Sequence, residues 1–322
     1  MDILEKRQAS CARAMQKLAS ISSWESGDIS WHAAQVGRHF KNLRRLASKS
    51  NEGGPKAVRR LQDSILTGYS GRLCAFLQEL HARGIKRIKP LSPKQLEQHL
   101  QSARPTTRIV EHAVIRTQNK ANGDKRITLS PGRRIRTAQR LVGDVLEASG
   151  VANPFDYNRT GKGRDAAIAE IIRLVEEDGI RDFVVFDLED HFMSVSTKHL
   201  KGVPLPKKVM RHSVFFNRHA ILLHSNCNAA EAESARHGLP QGARVSGILA
   251  SSLLGRELHQ LDGAMGIVTY VDDGVIGACD PTGAKSLAEA IKLRFGKHPG
   301  GPLGFKKLDV RSIEQGFAFV GY

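Results

Sequence analysis

The chain is short of several things, and each shortage narrows what it does. Only 4 of its 322 residues are cysteine, and Cys11, Cys74, Cys227 and Cys279 lie far apart with no CxxC pair. That spacing supports neither a disulfide framework nor a zinc ribbon, and reduced thiols are expected. His191 and His199 share one stretch without a second ligand pair, so polar or satisfied histidines are the better reading than a zinc site. There is no long apolar run, no amphipathic anchor and no lipidation signal, so no membrane partner is expected. Met1 to Lys6 contains no apolar leader, which predicts a cytoplasmic chain. Acidic residues are also scarce: 32 Asp and Glu against 49 Lys and Arg leave a formal net charge of +17. Such an excess needs a polyanionic partner or a self-repelling surface, and nucleic acid is the first candidate.

At this length the chain buries a full core and is expected to divide into more than one subdomain. It shows no internal repeat and no low-complexity tract. Residues 1 to about 100 read as helical. Phe40, Leu43 and Leu46 interleave with Arg38, Lys41, Arg44 and Arg45 as an amphipathic helix with a basic face. After a break over Ser50 to Pro55, Val58, Leu61, Ile65 and Leu66 resume the stripe beside Lys56, Arg59 and Arg60. A bundle with solvated charges and a surface touching RNA are equally consistent with this pattern. Lys86 to Pro93 reads as a linker. From about 105 the pattern turns strand-like. Arg108 to Arg116 and Lys125 to Leu129 flank an Asn122-Gly123-Asp124 turn, a basic hairpin suited to a triphosphate or a backbone. Helices are predicted around Arg136 to Leu146 and from the Asn158 to Arg164 run into Ile168, Ile171, Ile172 and Val175.

Three blocks carry the chemistry. Asp182 to Leu188 is a buried strand interrupted by Asp187, and a carboxylate at the end of such a strand must be paired, protonated or metal-bound. Tyr270-Val271-Asp272-Asp273 stands between the apolar runs Gly266 to Thr269 and Val275 to Ala278. Asp273-Gly274 reads as the turn dipeptide of a hairpin. A turn presenting adjacent carboxylates suits hard oxygen ligation of Mg²⁺, although a solvated Asp-Asp-Gly turn is the commoner meaning of the pattern alone. If the two elements are neighbours, Asp187 and Asp272 can clamp two ions about 3.5–4 Å apart, with Asp273 the outer ligand. Between them, Gly238 to Ser246 contains a Pro-Gln-Gly turn, with Ser246 as a helix N-cap before Ile248, Leu249 and Leu253.

Together the blocks resemble the palm of reverse transcriptases. The first block of that family, Asp-x-x-x-x-aromatic-x-Ser, is matched by Asp187, Phe192 and Ser194. The second, Leu-Pro-Gln-Gly with Ser four residues on, is matched by Leu239 to Gly242 and Ser246. The third, Tyr-x-Asp-Asp, is met at Tyr270 to Asp273. Lys125-Arg126 and Asn158 to Asp165 resemble the triphosphate-side fingers, and Gly316 to Tyr322 looks like the start of the primer grip. Fainter similarity links the helical N-terminal part to group II intron-type enzymes.

The resemblance implies an α+β fold: a right-hand polymerase palm of antiparallel sheet with packed helices, fingers, and a helical N-terminal extension. The extension would cover 1–104 and the reverse transcriptase domain 105–322, with fingers over about 105–180 and palm over about 181–322. It implies an RNA-directed DNA polymerase of group II intron or retron type, working on an RNA template, a DNA or RNA primer and dNTPs. A structured non-coding or intron RNA is a further implied partner. Asp187, Asp272 and Asp273, helped by the Leu188 carbonyl, would hold two Mg²⁺ ions, with Mn²⁺ as a substitute. The amides of Asp190 and His191 would face the triphosphate, and Phe192 would stack beneath the sugar and exclude a 2′-hydroxyl. Gln241 would brace the nucleotide, Arg126 its phosphates, and Lys307 would protonate the leaving pyrophosphate. Two departures stand out. Gly247 replaces the proline many relatives carry, and the chain stops at Tyr322, before the helical thumb, which a partner or a longer product would then supply. An RNA-dependent RNA polymerase is one alternative, though such enzymes tend to place Asp where Phe192 stands. A splicing-type RNA-binding module without efficient synthesis is the other.

Overall fold

The computed structural model describes residues 2–52, 54–84, 89–119, 125–159, 161–217, 219–224 and 226–321. The Asn122 to Asp124 turn and Lys86 to Ile88 of the linker lie outside them. The elements run α1 (Ile3–Ser22), α2 (Ser26–Glu52), α3 (Pro55–Thr67), α4 (Tyr69–Ala82), α5 (Pro93–Ser102), β1 (His112–Asn119), β2 (Lys125–Pro131), α6 (Arg133–Ala148), α7 (Arg164–Glu176), β3 (Asp182–Leu188), α8 (His191–Ser194) and α9 (Lys207–Val209). There follow β4 (Ala220–Leu223), α10 (Ala229–Ser234), α11 (Arg244–Leu258), β5 (Gly266–Tyr270), β6 (Asp273–Ala278), α12 (Pro281–Gly296) and β7 (Phe305–Ser312). The fold class is α+β, as expected. Among the described residues no helix is long and apolar enough to cross a membrane.

The chain forms two compact units, each drawn from two segments: residues 1–151 with 203–246, and 152–202 with 247–322. In the first, α2 buries His39, Phe40, Leu43 and Leu46 and leaves Arg38, Lys41 and Arg45 in water, the amphipathic split its sequence predicts. Ser92 caps α5, its hydroxyl accepting from the Gln95 amide while the Gln95 side chain returns to the Ser92 amide. Strand β1 pairs antiparallel with β2 and parallel with β4, giving the order β2-β1-β4. Strand β4 is the short apolar run Ala220 to Leu223, which the sequence reading did not single out. Its residues are mostly exposed and its register comes from β1. Residues Arg108 to Glu111 lie before β1 rather than in it. Ile109 is nonetheless buried with Ile115, Leu129 and Ile135.

The second unit is an antiparallel sheet in the order β5-β6-β3-β7. Alternation along β3 splits its apolar run between two faces. Phe183 and Val185 meet Val268, Val275 and the Ile171 and Leu174 stripe of α7. Phe186 points the other way, edge-on to Phe305, which meets Phe295 of α12. Helix α12 buries Ala284, Leu287, Ile291 and Phe295 at helical spacing, its start fixed by Asp280 accepting from the Gly283 amide. A strand covered on both faces reads as an unbroken apolar run, which is why Asp187 stands out in it. Beyond β7, Phe319 closes the α7-side core, with Phe317 packed beside it.

Candidate active site

The hairpin after Gly266 turns two residues earlier than its sequence suggests. Tyr270 pairs with Asp273, so the two-residue loop is Val271-Asp272, and Asp273 and Gly274 belong to strand β6. Tight two-residue hairpins use mirror-image turns with positive φ at the first loop position, and Val271 has φ 64° there. A β-branched residue in that region is strained, so the surrounding pairing must hold it. Gly274 serves packing and not the turn: it lies opposite Phe186, and a Cβ on it would overlap that ring. The bare strand position leaves room for the far edge of the Phe186 ring.

This register determines which acids meet. Asp187 of β3 is the direct cross-strand partner of Asp273, and the Leu188 amide donates to the Asp272 carbonyl at 3.2 Å. Val185 and Val275, one step along the same face, both lie in the core, so the two carboxylates emerge where that face runs out of apolar cover. On the other side of β3, Lys307 of β7 is opposite Asp187, whereas Leu188 is opposite Phe305. The register shift leaves Lys306 as an extra residue, and such a bulge re-aims side chains that alternation would otherwise separate. Both lysines therefore reach the same end of the sheet. The Lys306 Nζ stands 3.8 Å from Asp187 Oδ2.

The acids repel one another. The Asp273 carboxyl is pushed up to about 6, first by burial and then by Asp187 and Asp272, against the opposing pull of Lys306 and Lys307. Clustered, partly buried carboxylates of this kind are a hard-oxygen donor set that a divalent cation would relieve, so their chemistry fits Mg²⁺. Among the described residues, no three His, Cys, Asp or Glu side chains are already gathered as a metal-binding group. The fit is thus one of donor type, charge and strand register.

The remaining predicted residues divide between the two units. Asp190, in the left-handed region at φ 43°, precedes the single turn α8, and its carbonyl accepts from the Ser194 amide at 2.9 Å. The His191 ring is 2% exposed, and neither ring nitrogen has a hydrogen-bond partner. Burial, with His199 nearby, lowers its pKa to about 4, so the ring is a neutral packing group. Phe192 is half-buried, its ring 5.9 Å from that of His191. Arg126 and Gln241 belong to the first unit. Arg126 is exposed on β2 opposite Gln118, and the Leu129 amide of the same strand donates to the Gln241 carbonyl at 2.9 Å. Ser246 is not an N-cap. Helix α11 begins at Arg244, and Ser246 sits buried in its first turn because the turn closes through the Ala243 amide on the Pro240 carbonyl. Sequence reading missed the ion pair of Lys306: adjacent lysines on a strand normally point apart, and nothing in Phe305-Lys306-Lys307 announces a bulge.

Residues 117–322 match the family described as reverse transcriptase (RNA-dependent DNA polymerase). The chain belongs to the reverse transcriptase family. Among the curated proteins, none matches it. Solved structures similar to it include apo telomerase from Candida tropicalis truncated from its C-terminal domain, at 13% identity and TM-score 0.44 over 66% of this chain and 52% of that one. Telomerase from Candida albicans with a fragment of telomeric RNA follows, at 12% identity and TM-score 0.40 over 63% and 43%. A partial Cas6-RT-Cas1–Cas2 complex matches at 17% identity and TM-score 0.35 over 74% and 42%. This reverse transcriptase chain spans about half the length of those structures.

Proposed function

We propose that this member of the family is an RNA-directed DNA polymerase that adds dNTPs to a primer 3′-hydroxyl. The observation that carries the reading is the pairing of Asp187 with Asp273 across β3 and β6, with Asp272 on the adjoining turn and two lysines on the neighbouring strand. Asp187, Asp272 and Asp273 with the Leu188 carbonyl would hold Mg²⁺, or Mn²⁺ in its place, which when bound supplies Lewis-acid stabilisation of the attacking and leaving oxygens. The lysines supply what the acids lack. Lys307, or Lys306 beside it, would hold a proton for the departing pyrophosphate, and both offset the negative charge of a triphosphate. Phe192, half-buried behind Asp187 in the chain, would pack beneath the deoxyribose, and Gln241 would orient the nucleotide. The +17 charge suits an RNA template and its primer. The basic helices of the first unit support a group II intron-type relationship within the family.

Primer extension on an RNA template tests this. Asp187→Asn and Asp273→Asn are each expected to lower dNTP incorporation by at least about 10²-fold, as loss of one group stabilising transition-state charge does. Undiminished extension by either variant, or clear preference for ribonucleotides, would remove the reading.

A further inference from the structure

The first unit holds a buried charge network centred on Asp144. Asp144 of α6 is 1% exposed, and its Oδ2 accepts from the Gln78 amide nitrogen of α4 at 2.9 Å. Its Oδ1 lies 3.3 Å from Arg7 Nη1 of α1 and 3.9 Å from Arg244 Nη2. His39 of α2 approaches Oδ2 at 3.8 Å. One turn along α6, Glu147 binds Arg7 and stands 3.6 Å from Arg244 through its second oxygen. Two arginines 237 positions apart in sequence therefore share two carboxylates of one helix. Burial alone would push the Asp144 carboxyl up, but His39, Arg244 and Arg7 outweigh it and hold the carboxyl below its usual value.

Arg244 is the first residue of α11 and follows directly on Gln241-Gly242-Ala243. That turn is anchored at three points. Leu239 is fully buried before it, the Gln241 carbonyl is held by the Leu129 amide, and Arg244 ends it on Asp144 and Glu147. Its middle has little slack: Gly242 has φ 93°, and a Cβ there would come within 3.3 Å of the Leu129 carbonyl oxygen. A turn so short, fixed at both ends, transmits a shift of Arg244 to Gln241. We infer that Arg244 is a positioning residue: clamped with Arg7 on Asp144 and Glu147, it sets the Gln241 turn, so that α1 acts as a strut for nucleotide recognition. This rests on the polymerase reading for its kinetic consequence and on the first unit alone for its structural one.

Two measurements on the full chain separate those dependences. In Arg244→Met, amide exchange at Leu129 is expected to accelerate on the order of 10-fold while β1–β2 amides away from the turn keep their protection. The same variant should raise KM for dNTP on the order of 10-fold, with kcat and KM for template–primer little changed. Arg244→Lys should restore most of both. Arg7→Met should reproduce the effect in weaker form, and the double variant should be non-additive because both arginines act through the same carboxylates. Glu147→Gln, at a partly exposed position, serves if Arg244→Met does not fold. Unchanged Leu129 protection in a folded variant, or a uniform loss of protection with dNTP KM unmoved, would overturn the clamp. If the parent chain extends no primer, the polymerase reading fails while the exchange result still decides the clamp.

Discussion

Gly274 and Val271 show how single residues shape the carboxylate turn from opposite directions. Gly274 yields its side-chain space to Phe186, so Gly274→Ala is expected to cost about 1–3 kcal/mol through overpacking, seen as a lowered Tm. Trimming the ring in Gly274→Ala/Phe186→Leu should recover part of that loss, and an undisturbed Tm in the single variant would contradict the packing role. Val271 holds a left-handed conformation that its branched side chain disfavours. Val271→Asn, a residue that tolerates this region, should raise stability by about 1 kcal/mol in urea unfolding. His191 makes a pH-dependent contribution. Its folded-state pKa of about 4 lies below an unfolded value near 6.5, so above that pH the ring is neutral in both states and contributes nothing. As pH falls from 6.5 towards 4 the unfolded state takes up the proton first, and stability drops by on the order of 3 kcal/mol. His191→Leu should flatten that part of the stability–pH curve, and a variant curve parallel to the parent's would contradict the assignment.

At the scale of elements, the local signals were legible where one face of an element met one environment. The stripe of α2 and the buried run of β3 were read from side-chain periodicity, whereas the cap of α5 falls where the sequence reads as a linker. The hairpin was legible as a hairpin, but its turn was displaced by two residues. Asp-Gly is the stronger turn dipeptide locally, whereas the pairing of Val185 with Val275 in the core decides the register and puts Asp273 in the strand. The pairing of β4 with β1 and the bulge at Lys306 were not legible, since each depends on a partner strand far away in sequence. The Ser246 cap failed for a related reason: a tight turn at Ala243 starts the helix three residues early.

For the whole molecule, the dominant property is charge. With a net +17, binding to single-stranded RNA should weaken linearly in a log–log plot against salt, by about 3 × 10²-fold or more between 50 and 200 mM if six or more phosphates are engaged. Filter binding or anisotropy across that range measures the slope, and affinity indifferent to salt would show that the basic surface is not the contact. The same affinity should survive Asp273→Asn, because that substitution removes none of the basic side chains available to phosphate.

Residue types, their order along the chain and the family are written in the primary structure: a lone acid in a buried strand, a Pro-Gln-Gly turn and a Tyr-x-Asp-Asp block are chemical statements before any folding. Folding in three dimensions sets which acid faces which, brings Lys306 to Asp187 with Lys307 paired opposite it, and makes Arg7 and Arg244 share a pair of carboxylates. Those are facts of register and long-range packing, where the free energy lies in contacts between segments that carry no mark of each other.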